Sequence, residues 1–300
     1  MTYKWQIGDP ADWGDGFTTP DLPYMEYLDD SDYDDYYDSN NYADSKMEEA
    51  EKISYKAWNL RNENKYEEAL VLTNQAIKLD PHHFNHLNRK GIILEDLRRY
   101  KESLNFYNKA LSLKRTKTIL NNKAYCILSL IKKRYTYEIS NNDALNLINE
   151  ALSILSSDKD NSEFLIEKGH ILRDIGSPIK AHICYLLSKK KFNEINKIEK
   201  ELNDVKLGYE TLINITGIQH YHGLAPFKEG ECVKLIKEPD NECDKNAIRV
   251  EIDNQTVGYV ANSPYTLIKE AKSASDIKHM NIKGAKVLFI IDNYVIAKVF

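Results

Sequence analysis

The chain has 300 residues and a formal net charge of −5, with 41 Lys and Arg against 46 Asp and Glu. No apolar run approaches the roughly 18 residues of a membrane span, and Asp9 and Asp12 stand where a signal peptide needs an apolar stretch, so we expect no membrane contact and a cytoplasmic location. The four cysteines form no CxxC pair, which argues against a disulfide scaffold or a zinc ribbon.

Residues 1–47 form an acidic leader that holds 12 acids and two bases. Unpaired acids at this density repel one another and cannot form a core, so the leader is predicted to be disordered. It also contains Trp5, Trp13, Phe17 and seven of the twenty tyrosines, which is unusual for a disordered tail. Two interpretations stay open: a solubilising tail, or a segment that docks on this chain or on a partner through its aromatics and acids.

Residues 48–210 show a helical hydrophobic period and a 34-residue repeat. Similar residues recur at this spacing in three pairs, which are Ala57 and Gly91, Tyr66 and Tyr100, and Ala76 and Ala110. A small residue lets two helices approach closely, and Pro81 ends the second helix of the first repeat. The pattern resembles the tetratricopeptide repeat (TPR), which implies an all-α solenoid of helix pairs.

Two further repeats and a final helix are predicted after these. The third repeat needs about eight extra residues near its turn, and its small residues are Ala124, Ala144 and Ala151. The fourth has the normal internal spacing, with Gly169, Gly176, Ala181 and Tyr185. Apolar residues at helical spacing then predict a helix that caps the last repeat, formed around Phe192, Ile195, Ile198, Leu202 and Val205.

The first helix of each repeat is expected to line a concave groove. Asn and Arg side chains can hold the backbone and carboxylates of an extended peptide, and aromatic side chains can anchor it. The mixture favours a polar or acidic segment of a partner protein, while a solvated helix face with no fixed partner is the alternative. The predicted lining residues are Tyr55, Trp58, Arg61, Asn62, Asn88, Arg89, Ile92, Asn121, Asn122, Tyr125, Glu167, His170 and Arg173.

From about Thr211 the hydrophobic period changes from 3.6 to 2, which predicts five or six short strands. One helix is predicted to begin near Ser263 and Pro264. These elements fit a small closed or nearly closed β-barrel. The predicted fold class is therefore multidomain α and β, in which an all-α TPR-like solenoid precedes a small OB-like barrel with one helix.

The string EPDNECDKNAIRV, followed by a Gly-Tyr-Val strand, resembles the HIRAN domain pattern. The positions that agree are Lys237, Glu238, Pro239, Asn241, Asp244, Asn246, Ala247, Ile248, Val250, Gly258, Tyr259 and Val260. GIQHYHG, residues 217–223, is similar to the first strand of that family. The resemblance covers residues 211–300.

The HIRAN resemblance implies binding of single-stranded DNA. In fork-remodelling helicases that carry this domain, it captures a free 3′ end. By position, Tyr221 is expected to stack on a base, and Asn241 and Asp244 to contact the terminal sugar. Lys245 is expected near a phosphate, and Tyr259 in the pocket wall.

Three departures from the family pattern reduce the predicted affinity. Gln219 and His220 stand where DNA-binding members have a base and an aromatic residue, and Cys243 replaces a tyrosine. Residues 211–300 also carry 11 bases and 11 acids, so a basic footprint is missing. The basic and aromatic run at residues 132–137 is either an additional strand-binding surface or a solvated turn.

The sequence contains no nucleotide-binding, hydrolase or metalloprotease motif, so no catalytic residue and no cofactor are predicted. His82, His83 and His86 are interpreted as turn residues that need no metal. A zinc site formed by His220, His222, Cys232 and Cys243 is a weak alternative, because an HxH pair on one strand points both rings to one face.

The sequence thus favours a non-enzymatic adaptor in DNA repair or replication. Its TPR groove would bind a protein segment, and its HIRAN domain would bind single-stranded nucleic acid, with DNA 3′ ends as the favoured ligand. The alternative is a protein-interaction scaffold whose HIRAN domain has lost DNA binding. The acidic leader, residues 1–47, is expected to compete with ligands for this chain's own groove or for its basic turn.

Overall fold

The computed structural model describes residues 41–155, 161–208 and 210–300. Their contacts define two compact units, of which the first ends at Glu167 and the second runs from Lys168 to Phe300. Most of the predicted leader, residues 1–40, lies outside the described residues. Residues 41–47 belong to the first turns of the first helix.

The helical region consists of antiparallel helix pairs. Among the described residues, the helices before the first strand are α1 (Asn41–Asn62), α2 (Tyr66–Leu79), α3 (Phe84–Asp96), α4 (Tyr100–Leu113), α5 (Lys117–Lys132), α6 (Asn141–Ile154), α7 (Ser162–Asp174), α8 (Pro178–Ser188) and α9 (Phe192–Lys206). Asn64 and Arg98, 34 residues apart, both have a positive φ, near 60°, in the turns after α1 and α3. The repeat is therefore present in the backbone of the turns as well as in the apolar pattern.

The small residues of the repeat allow close helix packing. A Cβ atom added to Gly91 in α3 would lie 2.6 Å from the ring of Tyr107 in α4, and Gly169 in α7 faces Tyr185 in α8 in the same way. Both pairs are 16 residues apart. At the same offset from Ala57, the first repeat has Thr73, which is also buried but is smaller than tyrosine. The larger residue in the first helix is thus matched by a smaller residue in the second helix.

The third repeat contains the predicted insertion. The connection between α5 and α6, residues 133–140, has eight residues where that between α3 and α4 has three. In addition, α5 has 16 residues and α3 has 13. The longer connection and the longer helix together account for the eight additional residues.

The second unit contains a closed antiparallel barrel with the strand order β1-β4-β3-β2-β5-β6. Its elements are β1 (Thr211–Thr216), β2 (Cys232–Lys237), β3 (Ile248–Ile252), β4 (Gln255–Val260), a short helix α10 (Ala274–Ile277), β5 (Gly284–Ile291) and β6 (Tyr294–Val299). Alternate residues such as Ile213, Ile215 and Val250 fill the interior, and Ala274 and Ile277 of α10 join that core. The predicted fold class, TPR-like helices followed by a small barrel, is confirmed.

Two local predictions for the barrel were wrong. The predicted helix near Ser263 and Pro264 is a series of turns, and α10 begins instead at Ala274 behind a capping box of Ser273 and Asp276. The strand predicted through residues 217–223 ends at Thr216. Gly217 has a φ of 71°, a left-handed conformation that breaks the strand and starts a 3₁₀ turn.

The apolar face of α9 is buried, as predicted, but it does more than cap a repeat. Ile195, Ile198 and Leu202 are buried in one cluster with α8 and with barrel residues that include Leu212 and Phe289. The helices α8 and α9 therefore share a core with the outer wall of the barrel. None of the described helices combines the length and apolar character that a membrane span requires.

Candidate functional site

Helices α1, α3, α4 and α5 line an open pocket of about 340 Å³ in the helical unit. Its lining residues are Trp58, Arg61, Ile92, Glu95, Asp96, Tyr107, Asn122 and Tyr125. The sequence placed five of these in the groove. It missed the two carboxylates and Tyr107, which lies on α4 and not on the first helix of a repeat.

The pocket combines an aromatic wall with paired charges. Arg61 lies over the Trp58 ring, 4.7 Å from its centroid, and its Nε donates to Asp96 Oδ2 at 2.5 Å. The Glu95 carboxylate accepts from the Tyr107 hydroxyl at 3.2 Å, and burial raises the pKa of Glu95. The charge of Arg61 is therefore already balanced by Asp96, whereas the Glu95 carboxylate is held by a neutral hydroxyl.

The second predicted arginine is also occupied. Arg89 donates to Glu51 Oε1 at 3.0 Å and to Ser54 Oγ at 2.7 Å. The groove asparagines instead bond to each other, because Asn122 Nδ2 donates to Asn88 Oδ1 at 3.1 Å across 34 residues. Arg61 and Arg89 thus each hold an internal acid.

Three predicted aromatic and polar lining residues are accessible. Tyr55 is 61% exposed and Tyr125 is 44% exposed, with the Tyr125 ring edge-on to Phe164 at 5.5 Å. Asn62 is exposed, and Asn121 is half-buried. In the second unit, the ring of His170 lies 5.8 Å from the ring of Tyr185. Tyr55 and Tyr125 thus provide the apolar contact area of the groove.

The basic run at residues 132–137 has a structural role. Lys132 pairs with Glu163, and the buried Arg134 lies 3.7 Å from Glu167. The Tyr137 hydroxyl donates to the carbonyl of Arg98 at 2.6 Å, which ties the long α5–α6 connection to the turn before α4. These contacts favour the turn interpretation over a strand-binding surface.

On the barrel, two tyrosines form an aromatic patch. Tyr221 follows the 3₁₀ turn Ile218–His220 and is 41% exposed. Its ring lies 6.4 Å from that of Tyr259 on β4, at an angle of 42°. The break at Gly217 thus turns Tyr221 out of the strand and beside Tyr259, where a base could stack.

Glu238 organises the polar side of this patch. Its Oε2 accepts from Asn241 Nδ2 at 2.9 Å and from the Tyr259 hydroxyl at 3.3 Å, while its Oε1 lies 3.2 Å from Arg249. Burial, with the nearby Glu238 carboxylate, raises the pKa of Tyr259 to about 12. Tyr259 is therefore a neutral hydroxyl held in one orientation.

Asn241 and Asp244 shape the β2–β3 loop beside the patch. Asn241 Oδ1 accepts the backbone N–H groups of Cys243 at 3.0 Å and Asp244 at 3.1 Å. Asp244 Oδ1 accepts the N–H of Asn246 at 2.8 Å, and its Oδ2 accepts Asn262 Nδ2 at 2.7 Å. Each carboxylate oxygen keeps a second acceptor site, so Asp244 can hold the loop and still accept from a ligand.

Sequence reasoning missed Asn262 as a loop support. Its Oδ1 accepts the backbone N–H of Ser275 at 2.9 Å and the Ser275 hydroxyl at 2.7 Å, so it links the β2–β3 loop to α10. Three residues later, Tyr265 is 98% exposed. The neighbouring Ser263-Pro264 pair predicted a helix start, and no local sequence feature indicated that Asn262 supports the loop.

Comparison with protein families identifies the domain that contains the barrel site. Residues 209–273 match the family described as the HIRAN domain, and this range contains Tyr221, the β2–β3 loop and Tyr259. The chain carries a HIRAN domain. The barrel that begins in the matched range continues through β5 and β6 to Val299.

Other comparisons concern the helical region. Residues 98–213 match the family described as the Sec16 Sec23-binding domain. Among solved structures, YrrB, a TPR protein with an unusual peptide-binding site, is 20% identical, with 50% of this chain and 74% of that chain covered and a TM-score of 0.37. The Yersinia enterocolitica secretion chaperone SycD, in complex with a YopD peptide, is 14% identical, with 41% and 89% covered and a TM-score of 0.31. No curated protein matches significantly.

The HIRAN loop is acidic rather than basic. Residues 237–245 contain four acids against Lys237 and Lys245. Lys237 Nζ donates to the carbonyl of Met280 at 2.7 Å, whereas Lys245 is exposed and makes no hydrogen bond or ion pair with another described residue. Lys245 is therefore the base in this loop that is free to meet a phosphate.

The weak zinc candidates do not share a strand in the HIRAN domain. His220 ends the 3₁₀ turn, and His222 lies in the following turn. Cys232 begins β2, and Cys243 lies in the β2–β3 loop, both exposed. The geometric premise for that site, an HxH pair on one strand, is therefore wrong.

Proposed function

We propose that this protein is a non-enzymatic adaptor that joins single-stranded nucleic acid to a protein segment. The HIRAN domain would bind the nucleic acid, with DNA 3′ ends as the favoured ligand in a repair or replication setting. The TPR-like groove would bind the protein segment. The observation that carries the proposal is the exposed Tyr221 ring next to the half-buried Tyr259, beside a loop fixed by internal hydrogen bonds.

The proposed nucleic-acid contact has one role for each residue. Tyr221 stacks on a base, and the oriented Tyr259 hydroxyl and Asp244 carboxylate provide polar contacts for the terminal sugar. Lys245 meets a phosphate. Because the loop that carries Asp244 and Lys245 is already ordered by Asn241, binding does not need to order it, which reduces the entropic cost.

Fluorescence anisotropy of the full chain tests this contact. A labelled strand with a free 3′ hydroxyl is expected to bind more tightly than the same strand with a 3′ phosphate. Tyr221→Ala should weaken binding by about 1–3 kcal/mol, or roughly 5- to 150-fold. Tyr55→Ala removes an exposed tyrosine from the groove and is the matched control, expected to leave this affinity unchanged. Equal binding of both strands, with no effect of Tyr221→Ala, contradicts the proposal.

The charges of the groove pocket refine the proposed peptide. Arg61 and Arg89 are paired with Asp96 and Glu51, whereas the Glu95 carboxylate lines the pocket beside aromatic rings. We therefore propose a polar segment with a basic anchor side chain at this pocket, in place of the acidic segment that the sequence favoured. A Lys or Arg side chain would stack on Trp58 and pair with the carboxylates.

Peptide arrays probed with the full chain distinguish a basic anchor from an acidic segment. Binding of Lys- or Arg-containing peptides that is lost in Trp58→Ala supports the basic anchor, and selection of acidic peptides contradicts it. Asp96→Asn provides a sharper test because it leaves Arg61 without its partner. That variant should bind basic peptides less tightly and acidic peptides more tightly.

A pure protein-interaction scaffold is the second candidate. The acidic β2–β3 loop favours it, since four acids repel a phosphate backbone. Peptide binding that depends on Trp58, together with no measurable affinity for either DNA strand at low salt, would select the scaffold.

A further inference from the structure

Three metal-binding side chains meet at the start of the second repeat. Glu51 lies in α1, His83 precedes α3 and His86 lies in its first turn. Each offers one ligand atom, and these atoms all lie within 4.8 Å of one another. Ligands of a tetrahedral zinc ion lie about 3.3 Å apart, given bonds of about 2.0–2.1 Å. Small side-chain rotations would therefore bring these atoms to coordination distance.

His86 is prepared for a metal by its surroundings. Its ring is 1% exposed, and its Nδ1 lies 3.1 Å from Ser54 Oγ and 3.8 Å from Glu51 Oε2. An imidazole nitrogen is a common ligand of zinc, and the buried ring of His86 is held beside Glu51 in position to supply one.

His83 carries a buried nitrogen that the protein does not use. It occupies the N-cap position of α3, yet its side chain makes no capping hydrogen bond. Its ring instead lies 4.3 Å from that of His86, and its Nδ1 is buried without a hydrogen-bond partner among the described residues. Buried polar atoms are almost always partnered, so this nitrogen points to a ligand.

We propose that Glu51, His83 and His86 bind a divalent transition-metal ion, for which Zn²⁺ is the probe. Two imidazoles and a carboxylate are ligands that zinc accepts, with water completing the set. The ion would connect α1 to α3 and thereby clamp the first repeat to the second. This site is separate from the groove pocket and from the HIRAN patch.

Arg89 is the built-in competitor for this site. Its guanidinium holds the Glu51 carboxylate at 3.0 Å and the Ser54 hydroxyl at 2.7 Å. A metal ion bound to Glu51 Oε2 would share the carboxylate with Arg89, which holds Oε1, and would experience its positive charge. Arg89→Gln should therefore increase zinc affinity, an effect opposite to that of removing a ligand.

Competition with a chromophoric chelator measures the affinity of the metal-stripped full chain for Zn²⁺. One equivalent is expected to bind. His83→Ala and Glu51→Gln should each weaken binding at least about tenfold, and Arg89→Gln should strengthen it. His82→Ala removes the exposed neighbouring histidine and is the matched control, with less than a twofold change expected.

A second measurement separates coordination from changes in folding. Zn²⁺ should raise the unfolding temperature of the wild-type chain and of His82→Ala, but not that of His83→Ala. The Co²⁺-loaded chain should show visible absorption bands that are lost in His83→Ala. Absence of a bound equivalent, or equal losses in His82→Ala and His83→Ala, would overturn the proposal.

Discussion

The contact between Gly91 and Tyr107 makes a quantitative prediction about the repeat. A Cβ at position 91 would lie 2.6, 2.8 and 3.0 Å from three ring atoms of Tyr107, well inside van der Waals contact. The ring is fully buried, and its hydroxyl is bonded to Glu95, so it has little room to move. Overpacking of this kind costs about 1–3 kcal/mol.

The net effect of Gly91→Ala is smaller than the clash. Alanine is favoured over glycine in a helix interior by about 1 kcal/mol. Because the enclosed ring places the clash in the upper part of its range, we expect a net loss of about 1–2 kcal/mol in the free energy of unfolding. At about 2–4 °C per kcal/mol for a chain of this size, the unfolding temperature of the helices should fall measurably.

A double-mutant cycle isolates the clash. Thr73 stands in the first repeat where Tyr107 stands in the second, and there the partner position is Ala57, so Tyr107→Thr copies a combination that the chain already uses. In that background Gly91→Ala should be neutral or stabilising by up to about 1 kcal/mol. Urea unfolding followed by far-ultraviolet circular dichroism measures all four chains. An equal loss from Gly91→Ala in both backgrounds would refute the reasoning.

Three further predictions concern charge. Glu270 is half-buried, and its removal from water raises its pKa to about 7 from 4.5, so the stability that its protonated form contributes is full below pH 4.5 and is lost as the pH rises through 7. Glu270→Gln should therefore be more stable than wild type at pH 8 but not at pH 4.5, as thermal unfolding would show; parallel pH profiles would contradict this. Lys245→Ala should lower the slope of log affinity for single-stranded DNA against log salt by about one, with Lys237→Ala as the control. Deletion of residues 1–40 should tighten DNA binding at low salt and have less effect at high salt, and unchanged low-salt affinity would return the leader to a solubilising tail.

The repeat architecture was predictable because it is encoded locally. Equivalent residues of the first two repeats lie 34 positions apart, and these two repeats use the same turn, as the left-handed Asn64 and Arg98 show. The HIRAN pattern was predictable for a similar reason, since its loop residues follow one another in the chain. The extra length of the third repeat was predictable because Ala144 and Ala151 fit the repeat pattern only when about eight residues are added near the turn.

The wrong predictions depend on contacts between distant residues. Ser263 and Pro264 look like a helix start, yet the buried Asn214 side chain accepts the N–H of Ile268 at 3.2 Å and donates to the carbonyl of Thr266 at 2.9 Å, which holds that segment in turns. Likewise, the sequence does not show that Arg61 pairs with Asp96, which lies 35 residues further along the chain. A local pattern does not show which partner an exposed-looking side chain finds.

The outer wall of the HIRAN barrel has a practical consequence. Leu212, Phe289 and Ile296 are buried together with α8 and α9. A fragment that contains only the strands would expose these apolar side chains to water and would be prone to aggregate. A stable fragment with the barrel should therefore begin before α8, and a fusion of the barrel to another protein should include both helices.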